Sequence, residues 1–139
     1  MTAPMLAPVI ALVLWTFVVW GWMYATRIPA ILQSKMVLDP QVPRGEQMNQ
    51  LPAKVRWKAD NYNHLMEQPT LFYAVGLALA VAGDATAASL GLAWAYVGLR
   101  VVHSLVQALV NVIQVRFALF FISSLVLLAL AVRAALLVF

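Results

Sequence analysis

The chain alternates long apolar runs with short polar breaks. Residues 1–26 carry no charged side chain. Residues 5–26 form an apolar run of about the 20 residues that a helix needs to cross a bilayer. A cleaved signal peptide needs a basic start and a small-residue cleavage site, and neither is present. The run therefore reads as a retained span, closed by Arg27. A polar segment follows at 33–58, punctuated by Asp39-Pro40, Pro43-Arg44-Gly45 and Leu51-Pro52. Helix is expected to resume at Ala53. Its first half is polar (Lys54, Arg56, Lys58, Asp60, Asn61, Asn63, His64, Glu67), and only Leu71 to Ala82 is cleanly apolar. That half is too short to cross alone. The second span is placed at 60–82, with Asn63 to Glu67 inside it or lining a protein interior. Pro69 is expected to bend this helix. Gly83-Asp84 forms a turn, and spans at 87–110 and 115–137 are joined by a tight turn near 111–114. The pattern predicts an all-α, integral membrane four-helix bundle, one transmembrane domain over residues 1–139.

Composition excludes the soluble alternatives. Of 139 residues, 64% are apolar and 10% charged, against about 25% charged in a soluble domain. Disorder is excluded on the same ground. The net charge of +4 comes from nine Lys/Arg and five Asp/Glu. Six of the nine basic residues lie between Arg27 and Lys58, which places the 33–58 segment on the cytoplasmic side. Both termini are then periplasmic, as in a bacterial inner-membrane protein. No nucleic-acid partner is expected, because the rest of the chain cannot face water. Arg133 is expected to snorkel to the far headgroups. Lys54, Arg56 and Lys58 are expected to form a solvated, headgroup-facing cluster. The chain has no cysteine, so disulfides and thiolate metal centres are excluded. No metal site is expected, and any thiol chemistry must come from a bound cofactor.

Ionisable residues inside spans are costly and mark function. On the second helix, Asp60, Asn63, His64 and Glu67 follow spacings of three and four and share a face. On the third, Arg100, His103, Gln107 and Asn111 form one polar stripe. Arg116 opens the fourth, just after Gln114. Taken singly, these residues have structural readings: Glu67 pairing with Arg100, His103 as an interhelical hydrogen bonder. Taken together they carry surplus cation. Arg does not deprotonate in proteins, and Glu67 cannot neutralise both Arg100 and Arg116. Such a site invites an anionic ligand, and bidentate Arg suits carboxylates. A ligand with carboxylates, an amine and a thiol fits; so does a phospholipid headgroup or a nucleotide.

Two segments resemble a known family. Asn63-His64-Leu65-Met66-Glu67-Gln68-Pro69-Thr70-Leu71-Phe72-Tyr73 is similar to the second-helix signature of the MAPEG family, the membrane-associated proteins in eicosanoid and glutathione metabolism. Ala95 to His103 resembles the family's third-helix segment, an Arg followed three residues on by His. The spacing from Arg100 to Arg116 also fits. The resemblance covers about residues 9–135. It implies a homotrimer of four-helix subunits with glutathione between neighbouring subunits near the cytoplasmic face. It further implies glutathione contacts from Arg27, Asn63, His64, Glu67, Arg100, His103 and Gln107, and Arg116 as the catalytic residue that stabilises the thiolate. Lipophilic small molecules from the bilayer, electrophiles or hydroperoxides, are the implied substrates, with membrane lipids as surroundings. The chain departs from the pattern in four places. Asn63 is four residues before Glu67, with His64 in the expected place. Gln107 and Phe120 stand where a Tyr is expected, and Phe117 where Ser is. The expected function is a membrane glutathione transferase or peroxidase. The alternatives are a non-catalytic relative that binds a lipid or anionic metabolite at the intersubunit cleft, and a small transporter component.

Overall fold

A computed structural model describes residues 3–139. Among them the regular structure is helical: α1 (Leu6–Ser34), α2 (Ala53–Leu65), α3 (Pro69–Val81), α4 (Ala87–Leu109) and α5 (Ile113–Val138), with a 3-10 turn at Met48–Gln50. These make four rods, the second in two pieces. The fold is the expected all-α membrane bundle. Three of the helices, α1, α4 and α5, are long and apolar enough to cross a membrane.

α1 runs past Arg27, where the span was expected to close, and continues through Pro29 to Ser34. It ends where Lys35 turns left-handed (φ 53°) and donates to the Leu32 carbonyl. Pro8, Val9, Leu12, Val19 and Met23 form its buried stripe. The following loop is held by its own side chains. Gln47 Nε2 donates to the Val37 carbonyl at 2.8 Å, and its Oε1 accepts from the Asp39 backbone at 3.0 Å. Asp39 in turn accepts from the Gln41 backbone.

The second rod corrects the sequence expectation. The helix is not bent at Pro69 but broken ahead of it. Proline has no N–H and clashes with the carbonyl four residues back, so the ladder ends at Leu65. Met66 and Glu67 close the end with tightened bonds to Tyr62, Asn63 and His64. Pro69 then occupies the first turn of α3, where its missing donor costs nothing. At 13 residues, α3 is about 20 Å long, short of the roughly 30 Å hydrocarbon core.

Lys58 does not join a solvated cluster. It is buried, its Nζ lies 5.4 Å from the Trp22 ring, and it donates to the Lys54 carbonyl at 2.8 Å. Burial and the neighbouring Lys54 hold its ammonium below the usual lysine range.

All four rods meet in one core that includes Val9 and Leu12, Phe72 and Leu79, Ala93 and Tyr96, and Leu127 and Leu130. Phe72 and Tyr96 stack at 4.7 Å. α1 and α3 approach closely at Gly76, where a Cβ would stand 2.6 Å from Val9 Cγ2. Any larger residue there would force Val9 to shift. Many apolar side chains of α1 and α5 remain exposed, among them Phe17, Phe117 and Phe121. That surface suits lipid.

The α3–α4 turn is built for a sharp reversal. Gly83 takes φ 74°, and the Gly83 and Asp84 N–H groups bond back to Ala80 and Leu79. This is a Schellman end. Asp84 accepts from the Thr86 backbone at 2.9 Å and from the Ser89 hydroxyl. Thr86 caps α4 by accepting from Ser89 N–H. Arg133 does not reach outward as expected. Its Nε donates to Ser89 Oγ at 2.7 Å and its Nη2 to Thr86 Oγ1 at 2.9 Å, tying the end of α5 to the start of α4.

Hydrogen bonds from Ser89 and the Thr86 backbone hold the Asp84 carboxyl below its usual value. The sign of the stability effect follows. A depressed carboxylate adds stability that is complete above its unfolded value of 3.8 and is lost as pH falls through the folded one. Asp84→Asn is therefore expected to lower the thermal midpoint at pH 7. The gap to wild type should narrow below pH 3.8. Thermal scans in detergent from neutral pH into that range check this; a gap that does not narrow with pH would refute the role of the charge.

Candidate functional site in the α2–α4–α5 interior

α4 carries the site. Its buried side chains are Ser89, Ala93, Tyr96, Val97, Arg100, His103, Ser104, Gln107 and Ala108. Spacings of three and four put them on one face. The upper part of that face is apolar and joins the core. The lower part is polar, and Arg100 and His103 have no exposed surface at all.

Arg100 Nη2 lies 2.7 Å from His64 Nδ1. Among the described residues, its Nε and Nη1 have no hydrogen-bond partner. The His64 and His103 rings stack at 4.8 Å, and neither His103 nitrogen is bonded. Phe120 of α5 closes the other side. Its ring is edge-on to His64 at 5.1 Å and lies 6.0 Å from the Arg100 guanidinium carbon. The result is a buried cation flanked by two imidazoles and roofed by a phenyl ring.

The expected pairing of Glu67 with Arg100 gives way to His64. Glu67 lies in the turn between α2 and α3, its N–H bonded back to the His64 carbonyl. Glu67 is exposed and bears on Arg100 only at longer range. Asp60 and Asn63, expected on the same inward face, are exposed too. Only His64 of that set turns inward. Gln107 is buried one turn beyond His103, with Oε1 unbonded. Arg27 is half-buried near the end of α1, with its Nε unbonded.

Arg116 is half-buried and anchored. Its Nη1 donates to Asn111 Oδ1 at 2.7 Å. Asn111 sits at φ 49° in the α4–α5 turn and donates its N–H back to Val106. Asparagine tolerates this left-handed position better than most residues. Asn111, expected to end the stripe on α4, thus serves as turn and tether.

Sequence reasoning missed five participants. Asn61 is fully buried with both amide atoms unbonded, and Ser104 is fully buried with its hydroxyl unbonded. Asn61 precedes His64 by three residues, the spacing that was available as a signal. The Tyr96 hydroxyl bonds Gln68 Oε1 at 3.2 Å, and Gln68 Nε2 donates to Ser124 Oγ at 2.8 Å. This link joins the helix break to α4 and α5. Tyr96 lies one turn before Arg100 and extends its stripe.

A separate cavity of about 230 Å³ opens beside the same break. α1 contributes Val13, Thr16, Phe17 and Trp20, and Tyr62, Met66 and Tyr73 complete it. Its lining is mostly apolar.

Chemically, the interior offers buried donors with an uncompensated positive charge, and the flank offers an apolar groove. Buried polar groups are normally paired, and a buried charge without a counterion is expensive. The unbonded atoms of Arg100, His103 and Gln107 make this interior the candidate site. No match to this chain is found among curated proteins or among solved structures. The MAPEG family model, in contrast, matches residues 5–136 of the 139, and the chain belongs to the MAPEG family as an integral membrane protein.

Proposed function

We propose that the protein is a membrane glutathione transferase or glutathione-dependent peroxidase acting on lipophilic substrates. The observation that carries this reading is Arg100, fully buried, with two nitrogens unbonded and no carboxylate bonded to it. An anionic ligand supplies the missing charge, and glutathione combines carboxylates with the thiol that the cysteine-free chain lacks.

The roles follow from position. Arg100 and His103 hold a carboxylate of the tripeptide. Gln107 adds an amide, and Arg27 a second cation. Glu67 and Asn63, exposed beside the helix break, take the ligand's amine and backbone. Arg116 stands near the thiol and favours its ionised form, the nucleophile. The lipophilic partner comes from the bilayer along the groove of Phe17, Trp20 and Tyr73. A homotrimer brings such elements of neighbouring subunits together. The basic 27–58 stretch sets the cytoplasmic side, with both termini opposite, in an inner membrane.

Calorimetry with glutathione on detergent-purified protein tests the reading. Wild type is expected to bind in the micromolar-to-millimolar range common for enzyme substrates. Arg100→Ala is expected to lose binding by about tenfold or more, as when a charge-assisted hydrogen bond is removed. No heat at millimolar glutathione would overturn it.

One observation favours a second reading, a non-catalytic relative. The Tyr96 hydroxyl is committed to Gln68, and Phe120 rather than a hydroxyl faces Arg100. A copurified phospholipid that glutathione does not displace supports that reading.

A further inference from the structure

We infer that His64 is a positioning residue for Arg100: its unprotonated Nδ1 accepts from Nη2 and so aims the remaining guanidinium N–H groups at the ligand. This deepens the proposed anion site and rests on it for the ligand.

The argument begins from donors and acceptors. Arginine has five N–H donors and no acceptor. A nitrogen 2.7 Å from Arg100 Nη2 must therefore offer a lone pair. Nδ1 of His64 is that nitrogen, so the neutral ring carries its proton on Nε2. Among the described residues, no other protein atom is bonded to the guanidinium. A long side chain with several rotatable bonds would otherwise have no hydrogen bond to fix its orientation. The bond to His64 removes most of them.

The ring is itself fixed from two sides. His103 stacks on one face at 4.8 Å and Phe120 meets it edge-on at 5.1 Å. The charged and titratable groups near it are Arg100 and His103 of α4, and Arg116 of α5. His64 is only half-buried, unlike Arg100. It thus links the interior cation to the accessible edge of the site, and its Nε2–H is left as a donor there. Precision at a binding site depends on such support, since a small misplacement of a clamp costs much of its benefit.

The chain has two histidines, which makes the test direct. Full-length protein labelled with ¹⁵N-histidine is examined by nuclear magnetic resonance in detergent at neutral pH without ligand. His103→Gln assigns the signals. The expected spectrum shows His64 neutral, with Nδ1 unprotonated and hydrogen-bonded, and the Nδ1 signal moves to the free position in Arg100→Met. A proton on Nδ1, or no response to Arg100→Met, overturns the inference. Glutathione binding gives the second readout. His64→Asn keeps an acceptor oxygen where Nδ1 stands, and His64→Leu fills similar space without one. His64→Leu is expected to bind about tenfold more weakly, and His64→Asn within about threefold of wild type. Equal affinity in all three, or equal loss in both variants, overturns it as well. Should wild type bind no glutathione, the proposed function fails, while the tautomer and its response to Arg100→Met still decide the role of His64.

Discussion

Replacing Arg116 with alanine is expected to slow glutathione conjugation about 10-fold to 100-fold at pH 7, with a smaller change in glutathione affinity. A free thiol titrates near 8.5, so only about 3% is ionised at pH 7. A cation beside it raises that fraction. In the proposed function Arg116 is that cation. It lies in the first turns of α5, where the helix N-terminus adds its own positive potential, and Asn111 holds it in place at 2.7 Å. The gain is partly offset because a more acidic thiol is a weaker nucleophile. The pH–rate profile with an activated aryl halide separates this role from a structural one. In wild type the inflection is expected well below about 8.5, and in Arg116→Ala it moves up toward the free-thiol value. The two rates converge above it. A profile that keeps its inflection while its height falls would show that Arg116 does not act on the thiolate.

The rods and the site differ in how far the sequence revealed them. The α4 stripe was legible because Arg100, His103 and Gln107 repeat at helical spacing on an otherwise apolar helix, and burial confirms one face. The fate of the 60–67 stretch was not legible. Spacing placed Asp60, Asn63, His64 and Glu67 together, but it assumes an unbroken helix. The break at 66–68 depends on how Pro69 is accommodated, and a proline pattern fits a kink as well as a stop. In the structure Glu67 is exposed and His64 bonds Arg100. Arg133 misled for another reason. An arginine near a helix end reads as snorkelling, and its actual partners, Ser89 and Thr86, are more than 40 residues away in sequence. The same holds for the Tyr96–Gln68–Ser124 link, whose members only the tertiary fold brings together. Gln47 and its loop contacts left no periodic trace at all.

Arg100→Met is expected to raise thermal stability without ligand while abolishing glutathione binding. The opposing terms can be ordered by size. Burying a guanidinium costs several kcal/mol after relaxation. Its one bond, to His64, returns about 1.5–3 kcal/mol. Methionine has similar length, adapts to irregular space and brings no charge. It does leave His64 Nδ1 without its donor, a penalty of about 1–3 kcal/mol, which the half-buried ring can relieve with water. The balance favours methionine by about 1–2 kcal/mol, in line with other replacements of buried charges by apolar residues. A shift of roughly 2–8 °C in thermal midpoint corresponds. Alanine at the same position should do the opposite, because it leaves a cavity beneath Phe120. Adding glutathione in excess then reverses the ranking. Ligand stabilises the protein that binds it, so the wild-type midpoint rises and the Arg100→Met midpoint stays. Binding sites commonly carry such a cost in stability. Thermal scans of wild type, Arg100→Met and Arg100→Ala with and without glutathione measure every part of this. A methionine variant less stable than wild type in the absence of ligand would mean that the Arg100 charge is already compensated inside the subunit, and the case for an anion site there would fall.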